Sequence, residues 1–277
     1  MSTKKYAVIG HPIGHSLSPF IHEKLFKLDN IDAQYVALDI ENLDNDYECV
    51  LKKLDGYNVT IPHKLNIINK LDKISKKAEL TGSVNTVRNG KLCEGFTTDG
   101  FGFVSAVKAK CDGTIPENVL IFGYGGAARA IAFECIENGC DVSFAVREKS
   151  INNCKELTNE ILEKLNVKCD VFSTDNIPKD KVFSLLVNAT PVGMYPNVNG
   201  CICSDEIIKR SEAVFDAVYN PLETVLLKKA RDASKNAIGS IEMLVYQAAK
   251  AHEIWIGAKY NDSDLQKICR DTEDKLR

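Results

Sequence analysis

The apolar run Val119-Leu120-Ile121-Phe122 stops at Gly123-Tyr124-Gly125-Gly126-Ala127-Ala128-Arg129 and is followed by the helix-prone Ala130-Ile131-Ala132-Phe133-Glu134. The spacing of small residues is G-x-G-x-x-A. Gly123 permits a tight turn, Gly125 lets the backbone come close to a pyrophosphate, and Ala128 lets a helix pack on the strand with its first N–H groups facing an anion. A lone pattern of this kind also occurs in ordinary glycine-rich loops. Here strand, turn and helix stand in the required order, which predicts a Rossmann-type dinucleotide-binding domain. Gly123, Gly125, Gly126 and Ala127 are its expected cofactor contacts.

The end of the next strand tests which dinucleotide is bound. A carboxylate there pairs with the ribose hydroxyls of NAD, whereas an arginine receives the 2′-phosphate of NADP. Arg147 stands just past the apolar 142–146, so NADP (NADPH) is expected. Glu148 beside it would repel a phosphate if it turned inward, and Arg147 as a solvated surface residue is the ordinary alternative, so NAD stays open.

Along the rest of the chain, short apolar runs alternate with helix-length amphipathic segments, which predicts an α/β class with parallel strands and helical crossovers. Expected strands are 6–10, 34–38 and 56–60 in a first domain, then 119–122, 141–146, 167–172, 184–188 and 213–217. Ser18-Pro19 reads as a helix start, with Ser18 as N-cap ahead of Ile21, Leu25 and Leu28. A further helical stretch should reach about Leu71, and 84–87 with 91–93 should form a hairpin around Asn89-Gly90. The loop-like Cys111-Asp112-Gly113 and Pro116 mark a boundary. The expected organisation is an N-terminal α/β substrate-binding domain (1–112), a Rossmann domain (113–239) and C-terminal helices (240–277), with Leu244, Ala248 and Ala251 on one face, returning to the first domain. A substrate group on one domain and a cofactor on the other would imply a closing cleft.

Composition narrows the function. With 35 Lys+Arg, 38 Asp+Glu and a formal charge of -3, the chain lacks the basic footprint that nucleic-acid binding needs. No window approaches a membrane span and the N-terminus lacks a signal-peptide core, so a cytoplasmic protein is expected. Ten cysteines contain no C-x-x-C; Cys201 and Cys203 stand one residue apart with no second pair, and reduced thiols are expected. His11 and His15 flank Pro12 and Gly14 in a loop rather than on a helix face, and no metal is expected.

The first domain carries an ordered set of polar residues: Ser16 and Ser18, then Asn58, Thr60 and Lys64, then Asn85, then Asp99. Serine hydroxyls suit a carboxylate, and Asn, Thr and Asn at strand ends can satisfy ring hydroxyls of a polyol. Each has an ordinary role when taken singly: helix cap for Ser18 or Asp99, strand end for Thr60, surface charge for Lys64.

Together these residues resemble the shikimate dehydrogenase (shikimate/quinate dehydrogenase) family. The resemblance rests on Gly10-His11-Pro12-Ile13-Gly14-His15-Ser16-Leu17-Ser18-Pro19 with His22, on Asn58-Val59-Thr60-Ile61-Pro62-His63-Lys64, and on Gly82-Ser83-Val84-Asn85-Thr86. It continues through Thr98-Asp99-Gly100, the glycine turn, Asn188-Ala189-Thr190-Pro191-Val192-Gly193-Met194, Asp216 to Tyr219 with Pro221 and Thr224, and Met243-Leu244 with Gln247 and Trp255. These motifs span almost the whole chain in family order.

The resemblance implies NADPH-dependent, reversible reduction of 3-dehydroshikimate to shikimate in the pathway to chorismate and the aromatic amino acids. It assigns Ser16 and Ser18 to the substrate carboxylate, and Asn58, Thr60, Asn85, Tyr219 and Gln247 to the ring hydroxyls or their surroundings. Lys64 and Asp99 become the catalytic pair, and Thr190, Ala217, Ser240 and Met243 join the cofactor set. The residue chemistry agrees independently, because a hydride arriving at a carbonyl makes an alkoxide that needs a proton donor. The Lys64 ammonium can serve, with Asp99 orienting it.

The chain departs from the family pattern at Thr97, Tyr124, Val146, Glu148 and Ser240, and the residues at 146 and 148 weaken the expected preference for NADP. Two alternatives follow: a quinate/shikimate dehydrogenase preferring NAD, and a non-catalytic dinucleotide-binding regulator, which would have no need of Lys64 and Asp99. The expected partners are small molecules, in a monomer or homodimer.

Overall fold

The structure, a computed structural model, describes residues 3–14 and 16–277. It forms two compact units: the chain up to Gly102 with Leu244–Lys275, and Phe103–Met243 with the last two residues. His15, one of the paired loop histidines considered above, lies outside the described residues.

The first unit is a six-stranded mixed sheet. Its strands are β1 (Lys4–Gly10), β2 (Ala33–Asp39), β3 (Gly56–Val59), β4 (Lys73–Ile74), β5 (Thr86–Arg88) and β6 (Glu94–Phe96), in the order β2-β1-β3-β5-β6-β4. β1 pairs in parallel with both β2 and β3, while β5 runs antiparallel to β3 and β6. Tyr6 to Gly10 are all buried, as expected of a strand covered on both faces. Helix α1 (Ser18–Leu28) buries Ile21, His22, Leu25 and Phe26. Leu28, expected on that face, is 45% exposed.

Three local expectations are corrected. The N-cap of α1 is Leu17, which makes no side-chain cap, so Ser18 is the first helical residue and its hydroxyl is not a cap. The helix expected up to Leu71 is instead a turn over 61–65 and a 3-10 stretch, Asn66–Lys70. Long-range bonds hold that segment away from an α ladder: Val84 N–H donates to Lys64 O at 2.9 Å, and the His63 ring lies 2.5 Å from Ile40 O. The hairpin exists but pairs Arg88 with Glu94 across a five-residue connection, 89–93. Asn89 is engaged elsewhere, its amide donating to Leu51 O and Leu54 O, which displaces the tight two-residue turn.

Short helices α2 (Leu43–Asp46) and α3 (Lys76–Thr81) complete the covering of this sheet, and α4 (Asp99–Lys110) carries the chain into the second unit. The unit division falls within α4, ahead of the loop at 111–116 to which composition pointed.

The second unit is a six-stranded, all-parallel sheet: β7 (Asn118–Phe122), β8 (Asp141–Val146), β9 (Asp170–Ser173), β10 (Leu185–Asn188), β11 (Ala213–Asp216) and β12 (Asn236–Ile238). The order β12-β11-β10-β7-β8-β9 is the doubly wound arrangement whose switch point lies between β7 and β10. β12 is a strand that the sequence pattern did not reveal. Helices α5 (Gly126–Glu137), α6 (Ile151–Leu165), α7 (Asp205–Lys209) and α8 (Val225–Asp232) lie between these strands in sequence. Leu120, Phe122, Leu186 and Val214 are central to one of this unit's apolar cores.

α9 (Ile241–Ile256) and α10 (Asp262–Leu276) end the chain. From Leu244 to Lys275 they belong to the first unit. The Trp255 indole donates to Val87 O on β5 at 2.9 Å, and Lys24 of α1 pairs with Asp271 of α10 at 2.6 Å. No helix among the described residues is long and apolar enough to cross a membrane.

Candidate active site

The site in the first unit is built where the chain leaves β3, enters β5 and starts α4. Asn58 lies near the end of β3, and the turn after it carries Thr60 and Lys64. Thr60 N–H donates to Ile9 O at 2.8 Å, and the bond from Val84 fixes Lys64 O, so this turn is tied on both sides. Asn85 immediately precedes β5; its N–H donates to Phe96 O and its carbonyl accepts from Val59 N–H.

Lys64 Nζ sits 2.5 Å from Asp99 Oδ2, with side chains 13% and 8% exposed. Asn85 Nδ2 donates to the other carboxylate oxygen, Asp99 Oδ1, at 2.8 Å, and also to Thr98 Oγ1 at 2.9 Å and Gln247 Oε1 at 3.3 Å. Asn85 Oδ1 accepts from Thr98 N–H at 2.7 Å. Asp99 opens α4, yet both its oxygens face side chains, so capping is not its main engagement. Gln247 reaches this cluster from α9, its own amide donating back to Leu244 O.

Lys64, Asp99, Asn85 and Gln247 are therefore brought together as the sequence expected. Asn58 is joined to them differently. Its Nδ2 donates to Asn85 O and Thr86 Oγ1, and its Oδ1 accepts from the Tyr35 hydroxyl at 2.7 Å. Both amide hydrogens are thus engaged inside the protein, which makes Asn58 a holder of the site rather than a free donor. Ser16 Oγ accepts from Ser18 N–H at 3.2 Å, leaving the Ser16 hydroxyl proton to point elsewhere. Ser18 and Thr60 are partly exposed.

Two participants escaped the sequence reading. Thr98 appeared only as part of a motif, and Tyr35 only as an interior position of an expected strand. The signal for Tyr35 was a large phenol flanked by alanines at the two-residue spacing of one strand face, Ala33 and Ala37.

Tyr219, expected at the substrate, stands in the second unit just past β11, and burial raises its phenol pKa. The dinucleotide turn is in the same unit. Gly123 has φ +106°, a left-handed conformation, and a Cβ there would meet Thr190 Cγ2 at 3.0 Å and Ala189 O at 3.2 Å. A Cβ on Gly125 would meet nothing within 4 Å. Gly125 is the N-cap of α5 and supplies no side-chain cap, and Gly126 and Ala127 form the first helical residues. A twelve-residue helix thus starts at the switch point without a side-chain cap and with open space beside Gly125, which fits a pyrophosphate.

Strand ends beside this crevice are tied by Asn188 and Asp216. Asn188 Oδ1 accepts from Thr190 N–H and Oγ1–H, while its Nδ2 donates to Asp216 Oδ1. Asp216 also accepts from Thr224 Oγ1 and Val218 N–H, and burial pushes its carboxyl up to about 6. Ala217 N–H donates to Asn188 O. Arg147 follows β8 and is exposed; its carbonyl accepts from Ser150 N–H, while its side chain has no hydrogen bond or ion pair among the described residues. Its guanidinium is therefore available to a ligand, as are the exposed Glu148 and Lys149. Met243 is buried, and Ser240 carries a buried hydroxyl with no hydrogen-bond partner among the described residues.

The model of the shikimate dehydrogenase substrate binding domain matches residues 8–87. A protein named shikimate dehydrogenase (NADP(+)) from Methanocaldococcus jannaschii is 40% identical over 268 residues, covering 94% of this chain and 93% of its own. The chain belongs to the shikimate dehydrogenase family. A crystal structure of a shikimate dehydrogenase in complex with NADP+ superposes with a TM-score of 0.90 at 37% identity, covering 99% of this chain and 96% of that one. The shikimate 5-dehydrogenase of Thermus thermophilus, solved with NADP(H) and shikimate, gives 0.83 at 31% identity over 97% and 99% of the two chains. The resemblance and the α/β two-domain fold expected from the sequence are both borne out.

Proposed function

We propose that this protein catalyses the reversible NADPH-dependent reduction of 3-dehydroshikimate to shikimate, a step toward the aromatic amino acids. The observation that carries the reading is the Lys64–Asp99 pair, held at 2.5 Å with the second carboxylate oxygen bound to Asn85. It lies in a chain whose relatives of near-equal length are named for this reaction.

The first unit holds the substrate and the second the cofactor. Ser16 and Ser18 take the substrate carboxylate, and Thr60 and Gln247 take its ring hydroxyls, with Asn58 and Asn85 supporting them. NADPH, when bound, supplies the hydride. Lys64 Nζ, as an ammonium, donates a proton to the oxygen that becomes the shikimate hydroxyl, so that no free alkoxide accumulates. Asp99 Oδ2 accepts from that ammonium and fixes its direction, and the Asn85 amide on Oδ1 prevents the carboxylate from turning away. In the oxidative direction the neutral amine of Lys64 takes the hydroxyl proton.

Gly123, Gly125, Gly126 and Ala127 form the pyrophosphate cradle, and Arg147 receives the 2′-phosphate. Thr190, Ala217, Ser240 and Met243 complete the cofactor set. A cytoplasmic monomer or homodimer remains part of this reading.

A spectrophotometric assay of NADP and NAD reduction with shikimate and quinate tests it, run on the wild-type protein and on Arg147→Ala. The wild type should reduce NADP with shikimate faster than with quinate, and Arg147→Ala should weaken NADP binding while sparing NAD. Preference for quinate with NAD would replace this reading by the NAD-dependent quinate/shikimate alternative. Equal effects of Arg147→Ala on both cofactors would remove Arg147 from the phosphate site.

A further inference from the structure

The Tyr35 phenol reaches across a strand. In the register of the first sheet, Tyr35 on edge strand β2 stands opposite Tyr6 of β1, which stands opposite Gly56 of β3. Side chains alternate faces along a strand, so Tyr35 shares a face with Asn58, two residues beyond Gly56 and two strand spacings, about 10 Å, to the side. A phenol and an amide together span that gap, and the Tyr35 hydroxyl lies 2.7 Å from Asn58 Oδ1. The ring itself is held flat on His22 of α1, with centroids 4.1 Å apart and an interplanar angle of 5°. His22 Nδ1 lies 3.0 Å from His252 Nε2, and His252 Nδ1 lies 3.0 Å from Asp29 Oδ2, so the stack is anchored in turn.

Beyond Tyr35 the direction of each hydrogen bond is set by oxygens that can only accept. Asn85 O is one. Asn58 Nδ2 donates to it at 3.2 Å and to Thr86 Oγ1 at 3.0 Å, so the Asn58 amide turns its oxygen to Tyr35 and the phenol must donate. The Asp99 carboxylate is the other. It takes Asn85 Nδ2 at 2.8 Å, which turns Asn85 Oδ1 to the opposite side, where Thr98 N–H donates to it at 2.7 Å. Thr86 Oγ1, already accepting from Asn58, keeps one proton and lies 3.3 Å from Asn85 Oδ1 and 3.4 Å from Thr98 Oγ1. Donation thus runs one way, from Tyr35 through Asn58, Thr86 and Asn85 to the Asp99 that holds Lys64. Asn58, Thr86, Asn85 and Asp99 are all buried, so a lost partner in this path is not cheaply replaced.

We propose that Tyr35 is a positioning residue for the Lys64–Asp99 pair, its single hydroxyl proton fixing which way the Asn58 amide faces and, through Thr86, steadying the Asn85 amide on Asp99. Without that proton Asn58 Oδ1 has no donor. The amide can then turn over, but this sets its oxygen against Asn85 O and draws the Thr86 proton away from Asn85. Asn85 keeps the bond from Thr98 N–H, so its amide is loosened rather than reversed. Asp99 is then held less firmly in the direction that aims the Lys64 ammonium. The effect belongs to the aim of the proton donor and not to the groups that bind the substrate.

The inference rests on the proposed roles of Lys64 and Asp99 in the reaction. It is tested by steady-state kinetics with shikimate and NADP on Tyr35→Phe, which keeps the ring and its stack and removes only the oxygen, made both in the wild type and in Lys64→Ala. In the wild-type background kcat should fall roughly three- to tenfold, the factor that one net hydrogen bond supplies, with KM for shikimate changed by no more than about twofold. In the Lys64→Ala background no donor is left to aim, and the same substitution should leave the residual kcat unchanged, a coupling that general loosening of the fold does not give. Thr86→Val, which removes the relaying hydroxyl, should reproduce the loss of kcat, and adding it to Tyr35→Phe should lower kcat no further. An equal fall in both backgrounds, a rise in KM alone, additive losses in the Tyr35→Phe/Thr86→Val pair, or unchanged kinetics in Tyr35→Phe would overturn the proposal. A wild-type protein inactive on shikimate would instead overturn the proposed function itself.

Discussion

Asp99 gives its two carboxylate oxygens different tasks, Oδ2 to the Lys64 ammonium and Oδ1 to the Asn85 amide. Removing the ammonium therefore has two separable consequences. Lys64→Ala takes away the proposed proton donor, and kcat should fall about 10²- to 10⁴-fold, with a smaller effect on KM. It also leaves a nearly buried carboxylate with the neutral Asn85 amide as its remaining side-chain partner, which destabilises the fold, since breaking a buried pair costs roughly 3–5 kcal/mol when fully desolvated. The kinetics should accordingly be read well below the variant's own Tm. Near-normal turnover would remove Lys64 from the chemistry.

At the scale of elements, α9 is pinned to the sheet by a close approach rather than by apolar contact alone. A Cβ at Gly56, on β3, would meet Trp255 Nε1 at 2.6 Å and Val87 O at 2.9 Å, the two atoms that hydrogen-bond each other. Gly56→Ala should thus cost about 2–3 kcal/mol by overpacking, lowering Tm by roughly 5–10 °C in a chain of this size. An unchanged Tm would mean that α9 can shift freely. This same contact illustrates what the sequence could and could not convey. The glycine turn and its flanking strand and helix were legible because their signal is local: an apolar run, a spacing of small residues, a new period. The strands at 4–10 and 141–146 were legible because burial on both faces leaves a continuous apolar run. Gly56 against Trp255, Asn89 engaged with Leu51 and Leu54, and Lys64 O held by Val84 are long-range bonds without a spacing rule. They are the reason that the 61–70 segment and the hairpin register were misread. Lys64 and Asp99 stood out in the polar set of the first domain but became a catalytic pair only through a family resemblance, and Tyr35, which bonds across β1 to Asn58 on β3, did not emerge at all.

Across the whole molecule, acid acts with opposite sign on the two units. In the first, His22 and His252 have pKa values lowered by burial, so below the ordinary value of about 6.5 the unfolded chain binds protons that the folded unit does not. Stability is present above that pH and is lost as pH falls, by up to about 1.4 kcal/mol per pH unit for each histidine. In the second, Asp216 has a carboxyl raised by burial to about 6. Between about 6 and the ordinary carboxylate value of about 4 the folded state holds a proton that the unfolded chain has released, so this unit gains stability on acidification, on the order of 3 kcal/mol in all. The chain's single tryptophan, Trp255, belongs to the first unit and reports it selectively. The urea midpoint followed by tryptophan fluorescence should fall between pH 7 and pH 5.5, while the midpoint followed by far-UV circular dichroism, which averages both units, should fall less. His22→Phe should flatten the fluorescence-detected dependence, because one of the two buried rings can then no longer take up a proton on unfolding. A fluorescence midpoint that rises or stays level on acidification would show that the two histidines are not held neutral in the folded unit.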